Sequence, residues 1–149
     1  GVETTGLHIA GRLDRATTGL LILTNDGKWS RKLTELKSPD QAKIPKVYLV
    51  ETAYPLSPET ADFFWKGIYL TSENTTTTPA PIEVISSTHC RLTIYEGRYH
   101  QVKRMFAAVG NRVVNLHREE VGEITLEATL AIGQFRALSK AEVGWLSQY

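Results

Sequence analysis

Apolar residues fall into short groups along the chain, and the spacing inside each group predicts the element it forms. Between Tyr99 and Val109, the residues Val102, Met105, Phe106 and Val109 recur at i, i+3, i+4 and i+7. That is one stripe of an amphipathic helix, and Gly110 is its stop. Lys46 to Thr52 alternates and is rich in β-formers, so it predicts a strand. Thr18 to Thr24 is a continuous apolar run bounded by polar residues, the pattern of a buried strand. Asn25-Asp26-Gly27 then makes a turn, and a short helix from Lys28 to Leu36 turns Trp29, Leu33 and Leu36 inward.

Other segments are set by punctuation. Gly1 to Ala10 has no period and reads as a loop, and Ser38 to Pro45 is a polar loop between two prolines. Ser57 as N-cap, Pro58 at the first helical position and Glu59 in the first turn start a helix that Gly67 ends after Lys66. Glu73 to Thr78, with four threonines in a row, reads as a mobile surface loop. Pro81 to Ser86 and Cys90 to Tyr95 flank Ser87-Thr88-His89 as a hairpin. Val113 to Leu116, Gly122 to Leu126 and Phe135 to Leu138 predict three more strands, and Ser139 caps a last short helix. Several neighbouring strands have connections too short for parallel crossovers. The expectation is an α+β fold: a mixed, largely antiparallel sheet with helices packed on it, in a single domain spanning residues 1–149.

Composition narrows the class of protein. With 149 residues, 42% apolar and 22% charged, the chain can bury one real core. Its one cysteine, Cys90, rules out an internal disulfide and a thiolate zinc cluster, and fits a reducing compartment. No apolar run approaches the roughly 20 residues of a membrane helix, and no signal peptide opens the chain. Net charge is only +1, but its distribution is uneven. From Gly97 through Arg118 there is no acidic residue, while Arg98, Lys103, Arg104, Arg112 and Arg118 are present with His100 and His117. Such a stretch is either a solvated helix face followed by an exposed strand, or a local positive surface that meets phosphates.

Two segments carry candidate chemistry. Gly11-Arg12-Leu13-Asp14-Arg15-Ala16-Thr17-Thr18-Gly19-Leu20 is a loop with two glycines and an isolated carboxylate between arginines. A lone aspartate there is ordinarily a turn residue bonding its own backbone. Glu96-Gly97-Arg98-Tyr99-His100-Gln101-Val102-Lys103-Arg104-Met105-Phe106 joins a strand end to the basic helix, and alone it is a basic amphipathic helix.

Taken together and in order, these segments resemble the pseudouridine synthases, in the branch that modifies ribosomal RNA and includes the small-subunit enzyme. The resemblance covers nearly the whole chain. It rests on Gly-Arg-Leu-Asp followed by Thr-Thr-Gly-Leu and Thr-Asn-Asp-Gly, on Lys46-Val47-Tyr48-Leu49-Val50, on the segment from Glu96 to Phe106, and on Leu116-His117-Arg118 to Gly122. It implies an enzyme that isomerises uridine to pseudouridine with no metal and no organic cofactor. Asp14 then matches the essential aspartate, acting as nucleophile at C1′ or as base at C2′. Lys103 matches its basic partner, where many relatives carry arginine. Tyr48 matches the tyrosine that faces the target base. Arg12 would fill the vacated stack or hold a phosphate, and Arg98, Arg104, Arg112 and Arg118 would contact phosphates. The implied partner is ribosomal RNA, small-subunit first, free or within an assembly intermediate. The implied setting is a cytoplasmic monomer with no membrane.

Relatives of this branch usually begin with a small RNA-binding domain and a catalytic strand bearing a Lys-Pro pair. Neither precedes Gly11, so the expectation is a chain truncated at its N-terminus. Three other readings compete: a non-catalytic RNA-binding module on the same basic face, a large-subunit target, and a glycoside hydrolase using Asp14 and Glu96 as its carboxylate pair.

Overall fold

The computed structural model describes residues 6–11, 13–34, 44–98, 100–127 and 129–148. In chain order the elements are β1 His8–Ile9, β2 Thr18–Gly19, β3 Leu23–Thr24, α1 Gly27–Thr34, β4 Lys46–Thr52, α2 Thr60–Lys66, β5 Tyr69–Leu70 and β6 Thr75–Thr76. They continue with β7 Ile82–Ser86, β8 His89–Ile94, α3 Gln101–Ala108, β9 Val113–Val121, β10 Ile124–Thr125, α4 Lys140–Gly144 and a 3-10 turn, Trp145–Gln148. Among the described residues the main sheet runs β10-β9-β4-β8-β7, with β2 added beside β9. Every pairing in it is antiparallel except β2 with β9. This is the expected α+β architecture.

The sheet forms because its long strands alternate. In β8, Cys90, Leu92 and Ile94 are buried on one face, while Arg91 and Thr93 point to the other. The buried face meets α2 and α3. Val50, Leu92, Leu116, Phe64, Val102, Met105 and Phe106 form one apolar cluster, with the Phe64 and Phe106 rings edge-on at 4.9 Å. Side chains of this size each contribute roughly 1.5–3 kcal/mol on full burial. A second cluster, with Leu20, Ile22, Leu33, Val121, Ile124, Trp145 and Leu146, packs α1 and the C-terminal segment against the β9–β10 end. The opposite face of β8 is polar, where Arg91 Nε donates to Glu119 at 2.7 Å.

The strand at Lys46–Thr52, the hairpin and the helix stripe stand where the pattern put them. Other expectations are corrected. The apolar run from Thr18 to Thr24 is split into β2 and β3, because Leu20 N bonds to Arg118 O while Ala10 N bonds to Ile22 O, two different partners. The N-terminal stretch expected as loop contributes β1, paired with β3. The second helix starts at Thr60 rather than beside Ser57, whose hydroxyl bonds Thr60 Oγ1 and whose carbonyl accepts from Thr60 N. Glu73 to Thr78 is loop only in part. It holds β6 and the buried Thr77, whose Oγ1 accepts from Ile68 N at 2.8 Å.

Val113 to Leu116 is the start of a strand that continues to Val121, since the polar residues His117 to Glu120 are held by neighbours on both sides. Phe135 to Leu138 forms no strand, and Phe135 is exposed. Ser139 does cap α4: its side chain accepts from Glu142 N, and Glu142 returns the bond to Ser139 N in a capping box. Leu36 and the loop at 38–43 lie outside the described residues.

Two measurements test these packing claims. A Cβ on Gly19 would lie 2.2 Å from Arg118 O, and Gly19 has φ +107; Gly110 has φ +80 but open space around it. Gly110→Ala should therefore cost only the backbone strain, roughly 1–3 kcal/mol. Gly19→Ala adds a backbone clash and should lower Tm by clearly more, and equal melting shifts for the two would refute the close approach. Separately, hydrogen bonds from Arg136, then from Ser139, hold the Glu142 carboxyl down at about 2, below its ordinary 4.5. The depressed value means α4 anchoring is intact above pH 4.5 and lost as pH falls through about 2. Backbone chemical shifts of Lys140–Gly144 should report fraying in that window.

Candidate active site

The loop carrying Asp14 is fixed at its far end by β2. Thr18 and Gly19 pair in parallel with His117 and Arg118, and Thr18 Oγ1 lies 2.8 Å from His117 Nδ1. At its near end Thr17 N donates to Asp14 O at 2.8 Å, which closes a tight turn and presents the carboxylate. The Asp14 side chain is 24% exposed: partly desolvated, yet open to a ligand.

β4 brings Tyr48 opposite Arg118 on β9, beside Leu92 on β8. The ladder shifts register between Val47 and Tyr48, so Glu119 is an extra residue on β9 at this point. A bulge of this kind twists the strand and re-aims side chains. Arg118 is buried, and its Nε and Nη2 both donate to Leu20 O at 2.9 and 2.7 Å. Burial pushes the Tyr48 phenol above its ordinary 10.0. The Arg118 guanidinium, charged and hydrogen-bonded to the phenol, pulls it partly back, and the Asp14 carboxylate adds an upward push. Asp14, Tyr48 and Arg118 thus share one electrostatic neighbourhood, although they come from three separate segments.

The remaining wall is the start of α3. Glu96 is buried, and its oxygens accept from Arg98, from Thr78 N at 3.1 Å and from Gln101 Nε2 at 3.0 Å. Gln101 Oε1 in turn accepts from Arg98 N at 3.2 Å. This clamp bends the chain so that His100, the N-cap, takes a left-handed conformation with φ 47. Such strain in a non-glycine residue persists only when its surroundings over-determine it. The result is that His100 Nε2 lies 3.8 Å from Asp14 Oδ1.

Of the residues picked from sequence, Asp14 and Tyr48 come together with Arg118. Arg118 is not a surface group available to phosphate; it is an internal clamp. Lys103 is half-buried on α3, and among the described residues the basic group within ion-pair distance of Asp14 is His100 instead. Arg98 and Arg104 are ion-paired with Glu73, and Arg98 also with Glu96. Arg112 is exposed, with its carbonyl bound to Ala53 N. Arg12 lies outside the described residues. Glu96, offered as one half of a glycosidase pair, has both oxygens committed to its own loop and to Thr78, which removes the basis of that reading. Cys90 is buried, and burial pushes its thiol up to about 12, so it supplies no thiolate. Among the described residues no cluster of three or more His, Cys, Asp or Glu could hold a metal ion, and no helix is long and apolar enough to cross a membrane.

Sequence reasoning missed two contributors, His100 as the neighbour of Asp14 and Glu73 as the partner of two arginines. The charge count includes His100, while Glu73 enters only as the start of the threonine-rich tract, and neither contact has a local sequence signal.

Known proteins share both the sequence and the fold that hold this loop, strand and helix together. The chain belongs to the RNA pseudouridylate synthase family, whose model matches residues 2–108. It is 55% identical over 137 residues to ribosomal small subunit pseudouridine synthase A of Escherichia coli strain K12, covering 92% of this chain. It is 53% identical to the protein of that name in Vibrio cholerae, again over 92% of the chain. The chain spans 58% of the length of each of these relatives. A crystal structure of a pseudouridylate synthase superposes with a TM-score of 0.88 at 46% identity, over 95% of this chain and 60% of that one. A chain of an archaeal box H/ACA complex shares the fold at 16% identity and a TM-score of 0.54.

The neighbourhood of Tyr48 can be titrated. A raised phenol pKa means the protonated form is favoured by folding, so its stabilisation is complete below pH 10 and declines as pH rises beyond it. Ultraviolet titration of the parent minus Tyr48→Phe should show one phenol above the ordinary range. Asp14→Asn should move that phenol downward, because the carboxylate that opposed its ionisation is gone. A Tyr48 midpoint indifferent to Asp14 would show that the two are not coupled.

Proposed function

We propose that the protein converts uridine to pseudouridine in ribosomal RNA, with small-subunit RNA as its substrate. The observation that carries this reading is the convergence of Asp14, Tyr48 and the start of α3 from distant segments in a member of the RNA pseudouridylate synthase family. The names of its close relatives point to the small-subunit RNA.

The reaction breaks the bond between ribose C1′ and uracil N1, turns the base and rejoins it through C5. The proton lost from C5 is balanced by the one N1 gains, with no redox change. Asp14 acts on the ribose as an ionised group, either attacking C1′ or removing a proton at C2′. His100 is the basic group already beside it, and Lys103, three residues along the same helix, is the second candidate once RNA closes the site. Tyr48 stacks on the uracil and its hydroxyl assists removal of the C5 proton. A half-buried phenol hydrogen-bonded to Arg118 is held in position for that stacking.

A uridine in folded RNA must first be extruded, at roughly a few kcal/mol. Arg12 fills the gap or holds the flanking phosphate, and Arg112 adds a backbone contact. The protein works as a monomer in the cytoplasm, on free RNA or on an assembly intermediate.

The test is tritium release from uracil C5 in small-subunit and large-subunit transcripts. The parent should release label from small-subunit RNA, and Asp14→Asn should slow release by at least about 10²–10⁴-fold, the range for loss of a positioned base or nucleophile. Release from large-subunit RNA alone would replace the substrate. RNA binding without release from naked or protein-bearing RNA would make the protein a non-catalytic binding module.

A further inference from the structure

Two arginines of the acid-free stretch are already occupied, and by one residue. Glu73, at the tip of the turn between β5 and β6, places Oε2 2.9 Å from Arg98 Nη1 and Oε1 2.7 Å from Arg104 Nη2. Ser72 Oγ on the same turn accepts from Arg104 Nη1 at 2.9 Å. One carboxylate thus bridges two guanidinium groups, one oxygen to each. That is the geometry in which the two non-bridging oxygens of a phosphodiester are held. The charge count agrees. Glu96 neutralises one arginine from inside and Glu73 the other from outside, so the pair presents no net charge while Glu73 is in place.

The turn is built so that its tip can let go. Its base is fixed by Thr77, through Oγ1 to Ile68 N and through its own N–H to Ile68 O. The tip is an exposed four-residue connection with Asn74 in the left-handed region, φ 50. The Glu73 side chain is 31% exposed, and an open groove of about 320 Å³ between β5 and α3, walled by Tyr69, Ser72 and Ala108, lies beside Arg104. Arg104 Nε is buried without a hydrogen-bond partner among the described residues, so the guanidinium retains an unsatisfied donor in this arrangement. The place is close to the chemistry: Arg98 is two residues from His100, whose ring faces Asp14.

We propose that Arg98, Arg104 and Ser72 form a phosphodiester subsite for the RNA strand, and that Glu73 is a built-in occupant of it which the RNA phosphate displaces. This inference rests on the RNA-modifying reading above. Displacement exchanges one oxyanion for another, so it conserves the pairing of both arginines. It also gives selectivity, since an isolated anion must compete with a tethered carboxylate, whereas a strand anchored at the catalytic loop is tethered too.

The experiment uses a fluorescent small-subunit rRNA transcript, binding measured at about 50 mM salt where screening is weak. Glu73→Gln should tighten binding about two- to fivefold, the range for release of one partly exposed ion pair. In an Arg104→Ala background, itself weaker than the parent, the same change should give a clearly smaller gain, since only Arg98 is then released. Glu59→Gln, an exposed acid elsewhere, should give none. In the parent, the Glu73 carboxylate carbon should shift toward its free-solvent position on adding RNA, a reading that needs no variant to fold. Looser binding by Glu73→Gln would make Glu73 a scaffold for the arginines and overturn the proposal. So would an equal gain without Arg104 or with Glu59→Gln, or an unmoved Glu73 resonance at saturating RNA. A parent that binds RNA and releases tritium while failing these tests refutes this subsite alone. A parent that neither binds nor releases refutes the functional reading and the subsite together.

Discussion

The structure depends on how closely β2 can approach β9. Gly19 packs against the backbone of Arg118 at a distance no side chain permits, and Arg118 then reaches back to cap the carbonyl of Leu20 with two donors. This one splice joins the loop bearing Asp14 to the β9 end of the main sheet. It also explains how an arginine can be buried inside an apolar domain. Its charge is met by a carbonyl dipole and the Tyr48 hydroxyl, so the desolvation of an unpaired cation is avoided. The bulge at Glu119 lies beside the same point, where three strands must turn polar side chains toward one place.

The second organising theme is the use of carboxylates to shape a basic surface. Glu96 is inside the fold and acts on backbone geometry: through Thr78, Gln101 and Arg98 it sets the left-handed entry to α3. Glu73 is outside and acts on availability, holding two arginines that would otherwise face solvent. Two of the five formal positive charges in this stretch, Arg98 and Arg104, are therefore matched in space until something displaces their outer partner. Asp14 differs from both acids, since its neighbour is a histidine at the long edge of ion-pair distance and its carboxylate stays partly open. That openness is what the role proposed for Asp14 requires, whereas a structural carboxylate needs full satisfaction.

The amino-acid sequence by itself determined the elements whose signal is local. The alternation in Lys46–Thr52, the hairpin around Ser87 and Thr88, the apolar stripe of α3 and the Ser139 cap are all readable, because each depends on residues within a turn or two. Ordered motifs also singled out Asp14 and Tyr48, since loop and strand motifs carry their chemistry in residue identity. Tertiary structure alone decided which cations do what. Arg118 and Arg98 look alike in sequence, yet one is sealed beside Tyr48 and the other bridges two glutamates. It also decided that a threonine-rich tract becomes a strand with a buried Thr77, and that an apolar run divides between two sheets. The physical reason is range: hydrogen-bond partners and desolvation are set by residues far apart in the chain, and no local pattern encodes where those residues will meet.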